Sequence, residues 1–472
     1  MTSPIFSRRD MLKTASAGFG YLAFAGLAAE QAAAESAANP LAPRKPHFTP
    51  RAKRVIFLFM QGGPSHVDMF DYKPALEKND GKSASGGPYA RQRGRKLMKS
   101  PWEFPKRGAS GLPISTLLPH LSRHADELCL VNSMHTDIPN HPQAVVQMHT
   151  GSFAFVRPSM GSWVVYGLGT EGNNLPGFIA LNPLTRLGGA QNYGSAFLPA
   201  TYEGTGISLG GGGGRRNRRA GGGSAGLPNI ANRQFSKSMQ RRQLDLLQAM
   251  NRDRLQKDKV NTQLEGLIES YELAFRMQSA VPEIMDLGAE SSATVEKYGI
   301  NAGGGTANFG RQCLMARRLA EAGVRFIELT HNGWDQHRGL RARLTANCTA
   351  IDQPIAALID DLKQRGMLDD TLIVWTGEFG RTPHVRNDDG RDHNATGFTT
   401  WLAGGGVKGG LRHGETDENG IAAVKDKVHI HDLHATILAL LGMDHEKLTF
   451  RYSGRDFRLT DVHGRIVKEI FA

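Results

Sequence analysis

The sequence predicts an α/β fold, a mainly parallel β-sheet covered by helices on both faces. Three observations carry that expectation. Short apolar runs recur along the chain with little alternation, as strands do when both of their faces are buried. Segments of helical spacing lie between them, which suits crossover connections. The chain has 472 residues, 40% of them hydrophobic, enough apolar material for a large core and too much for a disordered polymer.

The elements follow in chain order. Residues 35–50, rich in Ala and Pro, read as a linker. Arg54 to Met60 is a continuous apolar run that stops at Gln61-Gly62-Gly63-Pro64, so it reads as a buried strand and a turn. Similar runs occur at Leu128–Met134, Phe178–Leu181, Val324–Thr330, Thr371–Thr376 and Thr399–Ala403. Residues 204–226 are nearly half glycine around Arg215-Arg216-Asn217-Arg218-Arg219, which leaves too little apolar surface to order a segment, so a flexible loop is expected. In the insertion 236–281, Leu264, Leu267, Ile268, Tyr271, Ala274 and Phe275 recur at helical spacing and predict a long amphipathic helix or a helix pair. Further helices are expected at Asn308–Ala322, at Leu340–Gly366 with an interruption at Pro354, and at Asp432–Leu441 before Gly442.

The net charge of +12 suggests acidic partners, but the basic residues cluster at 51–54, 91–99 and 215–219, so the field is local. The cysteines, Cys129, Cys313 and Cys348, are too few and too far apart for a disulfide framework or a thiolate metal site.

The N-terminus bears on compartment. Ser7-Arg8-Arg9-Asp10-Met11-Leu12-Lys13 is followed by a weakly apolar stretch, Thr14 to Ala29, and then by Ala32-Ala33-Ala34. This resembles a twin-arginine export signal, with cleavage expected near Ala34; the glycines at 18, 20 and 26 dilute the apolar run below what a stable membrane span needs. Residues 1–34 then form a signal peptide and 51–472 the exported domain, in the periplasm or outside the cell. Nucleic acid drops out as a partner, and the twin-arginine translocase is the partner during export.

In an open parallel sheet, ligands bind beyond the carboxyl ends of the strands. Those ends are rich in carboxylate and imidazole here: His66, Asp68 and Asp71 after the first run; His135, Asp137 and His141 after the second; Asp335 and His337 after the fourth; Glu378 and Arg381 after the fifth; Asp392 and His393 before the last. Imidazole nitrogen and carboxylate oxygen from separate loops are what a divalent cation site needs. In Asp335-Gln336-His337 an extended backbone puts both side chains on one side. Arg381 reads either as a structural ion-pair residue or as a clamp on an anion.

Five blocks carry a resemblance over nearly the whole chain: Gly62 to Asp71, Tyr271 to Gln278, Gly333 to His337, Gly377 to Pro383 and Gly390 to Asn394. They resemble the signature blocks of the bacterial domain-of-unknown-function family 1501, a sulfatase-like family of the alkaline-phosphatase/sulfatase superfamily. The resemblance implies one large domain of that fold, with metals and a nucleophile at a helix start acting on sulfate or phosphate esters. The sequence departs from the superfamily pattern in three places. Gln61-Gly62-Gly63 stands where the first strand usually ends in an acidic ligand. Asn140 and His141 stand where a Ser, Thr or Cys nucleophile is expected before Thr150-Gly151, and no Ser, Thr or Cys lies between Ile138 and His149. The usual Asp-His pair appears as Glu378-Phe379.

The expected function is therefore an exported metal-dependent hydrolase of sulfate or phosphate esters. Asp335, His337 and His393 are expected to bind one cation, with Glu378 near a second and Asp392, Asp68 and His66 as further ligand candidates. His141 is the candidate ligand, base or nucleophile, and Arg381 the candidate anion-binding group. The cation would be zinc, manganese or calcium, and the substrate an anionic ester such as a sulfated polysaccharide. The alternative is a catalytically degenerate envelope protein that binds anionic polysaccharide through its basic patches.

Overall fold

Strand β1 (Arg54–Gln61) lies at the middle of the sheet: Val55 to Met60 are without exposed surface, and both edges of the strand are paired. The computed structural model describes residues 40–83, 95–209, 234–258, 262–387 and 389–472. The remaining strands of the main sheet are β2 (Leu128–His135), β3 (Phe178–Leu181), β4 (Thr205–Ile207), β5 (Phe326–Asn332), β6 (Thr371–Thr376), β9 (Phe398–Ala403), β10 (Leu411–His413) and β11 (Val428–His429). Their order is β10-β2-β9-β6-β1-β5-β3-β4, with β11 also pairing β2. Every pairing is parallel except the two made by β9, which runs antiparallel between β2 and β6. Strands β7 (Gly380–Arg386) and β8 (Gly390–Asn394) form a separate hairpin between β6 and β9.

All six apolar runs are strands, because each is buried on both faces and contributes to one continuous core. Helix α1 (His141–Thr150) packs over β1. Phe57 and Phe59, two residues apart and so on one face, both stand edge-on to the His149 ring, Phe59 at 4.6 Å between centroids. Helix α2 (Met160–Leu168) touches β3 and β5, and α5 (Gly304–Glu321) packs on β5 and on α6 (Leu340–Gln364). The insertion is a helix pair, α3 (Lys237–Asp258) and α4 (Thr262–Met285). It is joined by two 2.8 Å bonds from Arg241 to Glu272 and by Gln248 donating to the Ile268 carbonyl. Helix α7 (Ile430–Leu440) starts at a capping box between His429 and Asp432.

Three details differ from the sequence reading. Pro354 does not interrupt α6: the helix runs through it, with Pro354 buried on the packed face beside Ile351, Ile355 and Leu358, so tertiary packing offsets the lost hydrogen bond. Residues 40–50 are not a free linker, since Leu41 is buried and the backbone N–H groups of Arg44 and Phe48 donate to the carbonyls of Leu168 and Gly442. The start of the expected glycine loop is ordered as β4, an edge strand on β3. The rest of that loop, residues 210–226, and the signal segment 1–34 lie outside the described residues. No helix among the described residues is long and apolar enough to cross a membrane.

Candidate metal centre

The carboxyl ends of β1, β5 and β6 lie side by side, and the chain leaves each through glycine: Gly62, Gly333 and Gly377. Gly62 holds the three ends together. Its φ of +118° is strained for any residue with a side chain, and a Cβ there would lie 2.4 Å from the Asp335 backbone nitrogen. Its N–H donates to both oxygens of Glu378, at 3.0 and 3.1 Å. The first strand thus ends in a backbone donor to Glu378.

Asp335 Oδ1 is the focus of the cluster. Around it stand His337 Nε2 at 2.9 Å, His141 Nε2 at 3.3 Å, His393 Nε2 at 3.3 Å and the Arg381 guanidinium at 2.7 Å. Burial alone would raise the Asp335 carboxyl, but the surrounding His141 and His393 rings and the Arg381 guanidinium hold it well below the usual carboxylate range.

The far nitrogens decide what each ring can do. His393 Nδ1 lies 2.8 Å from the Pro139 carbonyl, an acceptor only, so Nδ1 carries the proton and Nε2 is left with its lone pair toward Asp335. His141 stands at the first position of α1, and its Nδ1 lies 2.5 Å from Glu378 Oε1, a carboxylate without exposed surface. Its Nε2 is buried without a well-directed hydrogen-bond partner. Two imidazole nitrogens therefore face one carboxylate, an arrangement that needs either a proton or a cation between them. Although burial opposes it, Asp335 and Glu378 push His141 up to about 9, so without a cation the ring is protonated at neutral pH. His141, Asp335 and His393 bring their ligand atoms within 4.8 Å of one another.

His337 differs from the other two rings. Its Nδ1 accepts from Arg386 at 2.9 Å, so its Nε2 carries the proton and donates to Asp335. Burial, followed by the charge of Arg381, brings His337 down to about 4. A second grouping of His337, Asp392 and His393 also has ligand-like spacing. Asp392, however, is bound by Arg95 at 2.7 Å and Arg386 at 2.6 Å; burial works the other way, yet these partners bring its carboxyl down to about 2. Two guanidinium groups already neutralise that carboxylate, which leaves little drive to bind a cation.

The remaining sequence candidates have other surroundings. Arg381 has no exposed surface, and its donors are engaged by the carbonyls of Gly62, Gly63 and Arg391 and by Asp335. It braces the strand ends and has no free fork for an anion. Asp68 is in a fully buried ion pair with Arg391, with bonds of 2.6 and 2.9 Å, and Ser65 donates to it as well. His66 is buried with Nε2 2.7 Å from the Gly420 carbonyl, and burial lowers its pKa. Neither Asp68 nor His66 joins the Asp335 cluster. Glu378 touches His141 and Gly62, so it orients a ring from behind. Arg386 and Arg95 were not legible as site residues; Arg95 falls in the basic cluster at 91–99.

The strand ends bring a His/Asp cluster together beyond the carboxyl edge of a mainly parallel sheet in an α/β protein. The chain belongs to the family described as "Protein of unknown function (DUF1501)", which it matches over residues 52–471. Similar solved structures include the lipoteichoic acid synthase LtaP from Listeria monocytogenes, at 10% identity and a TM-score of 0.38, covering 90% of this chain and 80% of that one. TAB5 alkaline phosphatase, in a variant with Mg bound in its M3 site, is similar at 14% identity and a TM-score of 0.34, covering 84% and 99%. Ps i-CgsB in complex with k-i-k-neocarrahexaose is similar at 11% identity and a TM-score of 0.36, covering 83% and 72%. No curated protein matches the chain.

Proposed function

We propose that the protein is an exported metal-dependent hydrolase of sulfate or phosphate esters, with the cation held by His141, Asp335 and His393. The observation that carries this reading is the pair of imidazole Nε2 atoms facing Asp335 Oδ1, each ring oriented from behind, one by Glu378 and one by the Pro139 carbonyl. Two nitrogens and one carboxylate suit zinc or manganese better than calcium, which prefers an all-oxygen shell. A divalent cation bound there would supply neutralisation of the ester oxygens. His337 and Arg381 hold Asp335 in place from its other sides. Arg95 and Arg386, about 40% exposed, give the rim a positive field that draws an anionic ester such as a sulfated polysaccharide. Export through the twin-arginine translocase to the periplasm rests on residues 7–34 and is tested by fusing residues 1–40 to a reporter.

The test is the metal content of protein purified after export, compared with Asp335→Ala, together with turnover of aryl sulfates and aryl phosphates. At least one equivalent of metal and measurable turnover in the wild type, both lost in the variant, are expected. Less than one equivalent with no turnover on either ester overturns the proposal.

A second reading is favoured by one observation, the absence of Ser, Thr and Cys between Ile138 and His149. The protein would then bind anionic polysaccharide without cleaving it. Salt-sensitive binding to a sulfated glycan that persists in His393→Ala, with no ester turned over, is its signature.

A further inference from the structure

A cavity of about 630 Å³ opens at the other end of α1 from His141, lined by Gln147 and Gly151 among others. Asp137 forms part of its wall, and four residues further on His141 faces Asp335. Around the same cavity stand His429, His431 and His463, with Phe153 and Phe155 at its edge. Neither the family description nor the proposed reaction uses these residues.

The His429 and His431 rings of the cavity are arranged as neutral donors and acceptors, and its carboxylates are already engaged. His429 Nδ1 accepts the His431 N–H as the cap of α7, so its Nε2 carries the proton and faces Asp137 Oδ2 at 3.2 Å. His431 Nδ1 lies 2.9 Å from the Thr460 carbonyl, which makes its Nε2 the acceptor nitrogen. Burial keeps both rings neutral, holding His429 at about 4 and lowering His431. Asp432 is spent on the backbone N–H groups of His429 and Arg465, and Asp461 on Arg455. The cavity is thus no trap for a free ion, and the ion-like groupings among the described residues both lie at the Asp335 cluster.

The rim is aromatic and uncovered. Phe155 is 65% exposed and Phe153 39%. Arg157 lies over the Phe155 ring at 5.1 Å, and the segment from Phe153 to Arg157 continues into a second cavity of about 780 Å³, where Phe197 stacks on Tyr452 at 5.2 Å. Flat apolar faces beside imidazole and carboxylate hydrogen-bonding groups match one ligand chemistry well. A sugar ring offers an apolar C–H face for stacking and hydroxyls that both donate and accept.

We propose that the cavity beside Asp137 binds a sugar unit of an oligosaccharide chain, and that the chain runs across Phe155 into the second cavity. That the bound glycan presents its ester to the Asp335 cluster rests on the hydrolase reading above; the sugar binding itself does not. The test uses an array of sulfated, phosphorylated and neutral hexasaccharides with the wild type and with the double variant Phe153→Ala, Phe155→Ala, alongside turnover of 4-nitrophenyl sulfate and phosphate. The wild type is expected to bind at least one hexasaccharide. The double variant, whose altered side chains are exposed and whose melting should not change, is expected to bind it about tenfold more weakly, with unchanged kinetics on the small esters. No hexasaccharide bound by the wild type, or equal binding by the variant, overturns the proposal. Phenylalanine-dependent binding with no ester turned over leaves the glycan site standing and removes the hydrolase reading.

Discussion

Glu378 Oε1 lies 2.5 Å from His141 Nδ1, joining the end of β6 to the first residue of α1 across 237 positions of sequence. The carboxylate has no exposed surface, and its two oxygens also hold the Gly62 N–H. It fixes the proton of His141 on Nδ1 and turns Nε2 toward Asp335. In Glu378→Gln the amide oxygen can still accept that hydrogen, but the negative charge is gone. Metal affinity should fall by about 10- to 100-fold, as for other groups that orient a ligand from behind. In the metal-free variant the His141 pKa should drop from about 9, because one of its two carboxylates is lost. Metal titration and a histidine NMR titration read these two effects separately; an unchanged His141 titration would mean that Glu378 exerts no control over the ring.

Gly62→Ala tests the junction of the three strand ends. The backbone at φ +118° and the 2.4 Å approach to the Asp335 nitrogen leave no room for a methyl group. The strain alone should cost about 1–3 kcal/mol, read as a lower denaturant midpoint. Because relief of the clash must move the Asp335 loop, metal content should fall with stability. A variant that melts lower but keeps its full metal would show that the loop position tolerates the shift.

The layout of the site was legible in the sequence, since chemistry-bearing residues collect where apolar runs stop, and Asp335, His337, Glu378, Arg381 and His393 do converge. What each does was not legible, because it depends on the second nitrogen or oxygen of the group. His337 and His393 look alike in sequence, yet an arginine behind one and a carbonyl behind the other give them opposite tautomers. Asp68 reads as a ligand from its position after β1 but is taken by Arg391, 323 residues away. Pro354 reads as a break in isolation, while the packed face of α6 carries the helix through it.

Acid should destabilise the fold through its buried neutral histidines. Burial brings His331 down to about 4 and His434 to about 3, whereas in the unfolded chain each titrates near 6.5, so the unfolded state takes up more protons between those values. The stability these rings allow is present above about pH 6.5 and is lost as pH falls toward their folded values. Melting temperature followed from pH 7 to 4 should decline, and the decline should be shallower in His434→Gln. An equal slope in both proteins would exclude His434 as a contributor.

The opposite sign is expected at His149. Its Nε2 lies 3.0 Å from Glu328 Oε1 in the core, with Phe57 and Phe59 against the ring. Burial works against the charged ring, but Glu328 outweighs it and raises the pKa. A raised folded value means that the stabilisation is fully present below the unfolded pKa of about 6.5 and is lost as pH rises through the folded one. His149→Leu leaves Glu328 buried without its partner and should cost about 3–5 kcal/mol at neutral pH, while pairing it with Glu328→Leu should restore much of the loss. The pair also ties the end of α1 to β5, the elements that carry His141 and lead to Asp335, so the single variant should lose metal as well as stability. Denaturation of wild type, both single variants and the double variant at pH 6 and pH 9 decides it. A wild-type advantage over the double variant that grew toward pH 9 would contradict the assignment of a raised pKa to His149.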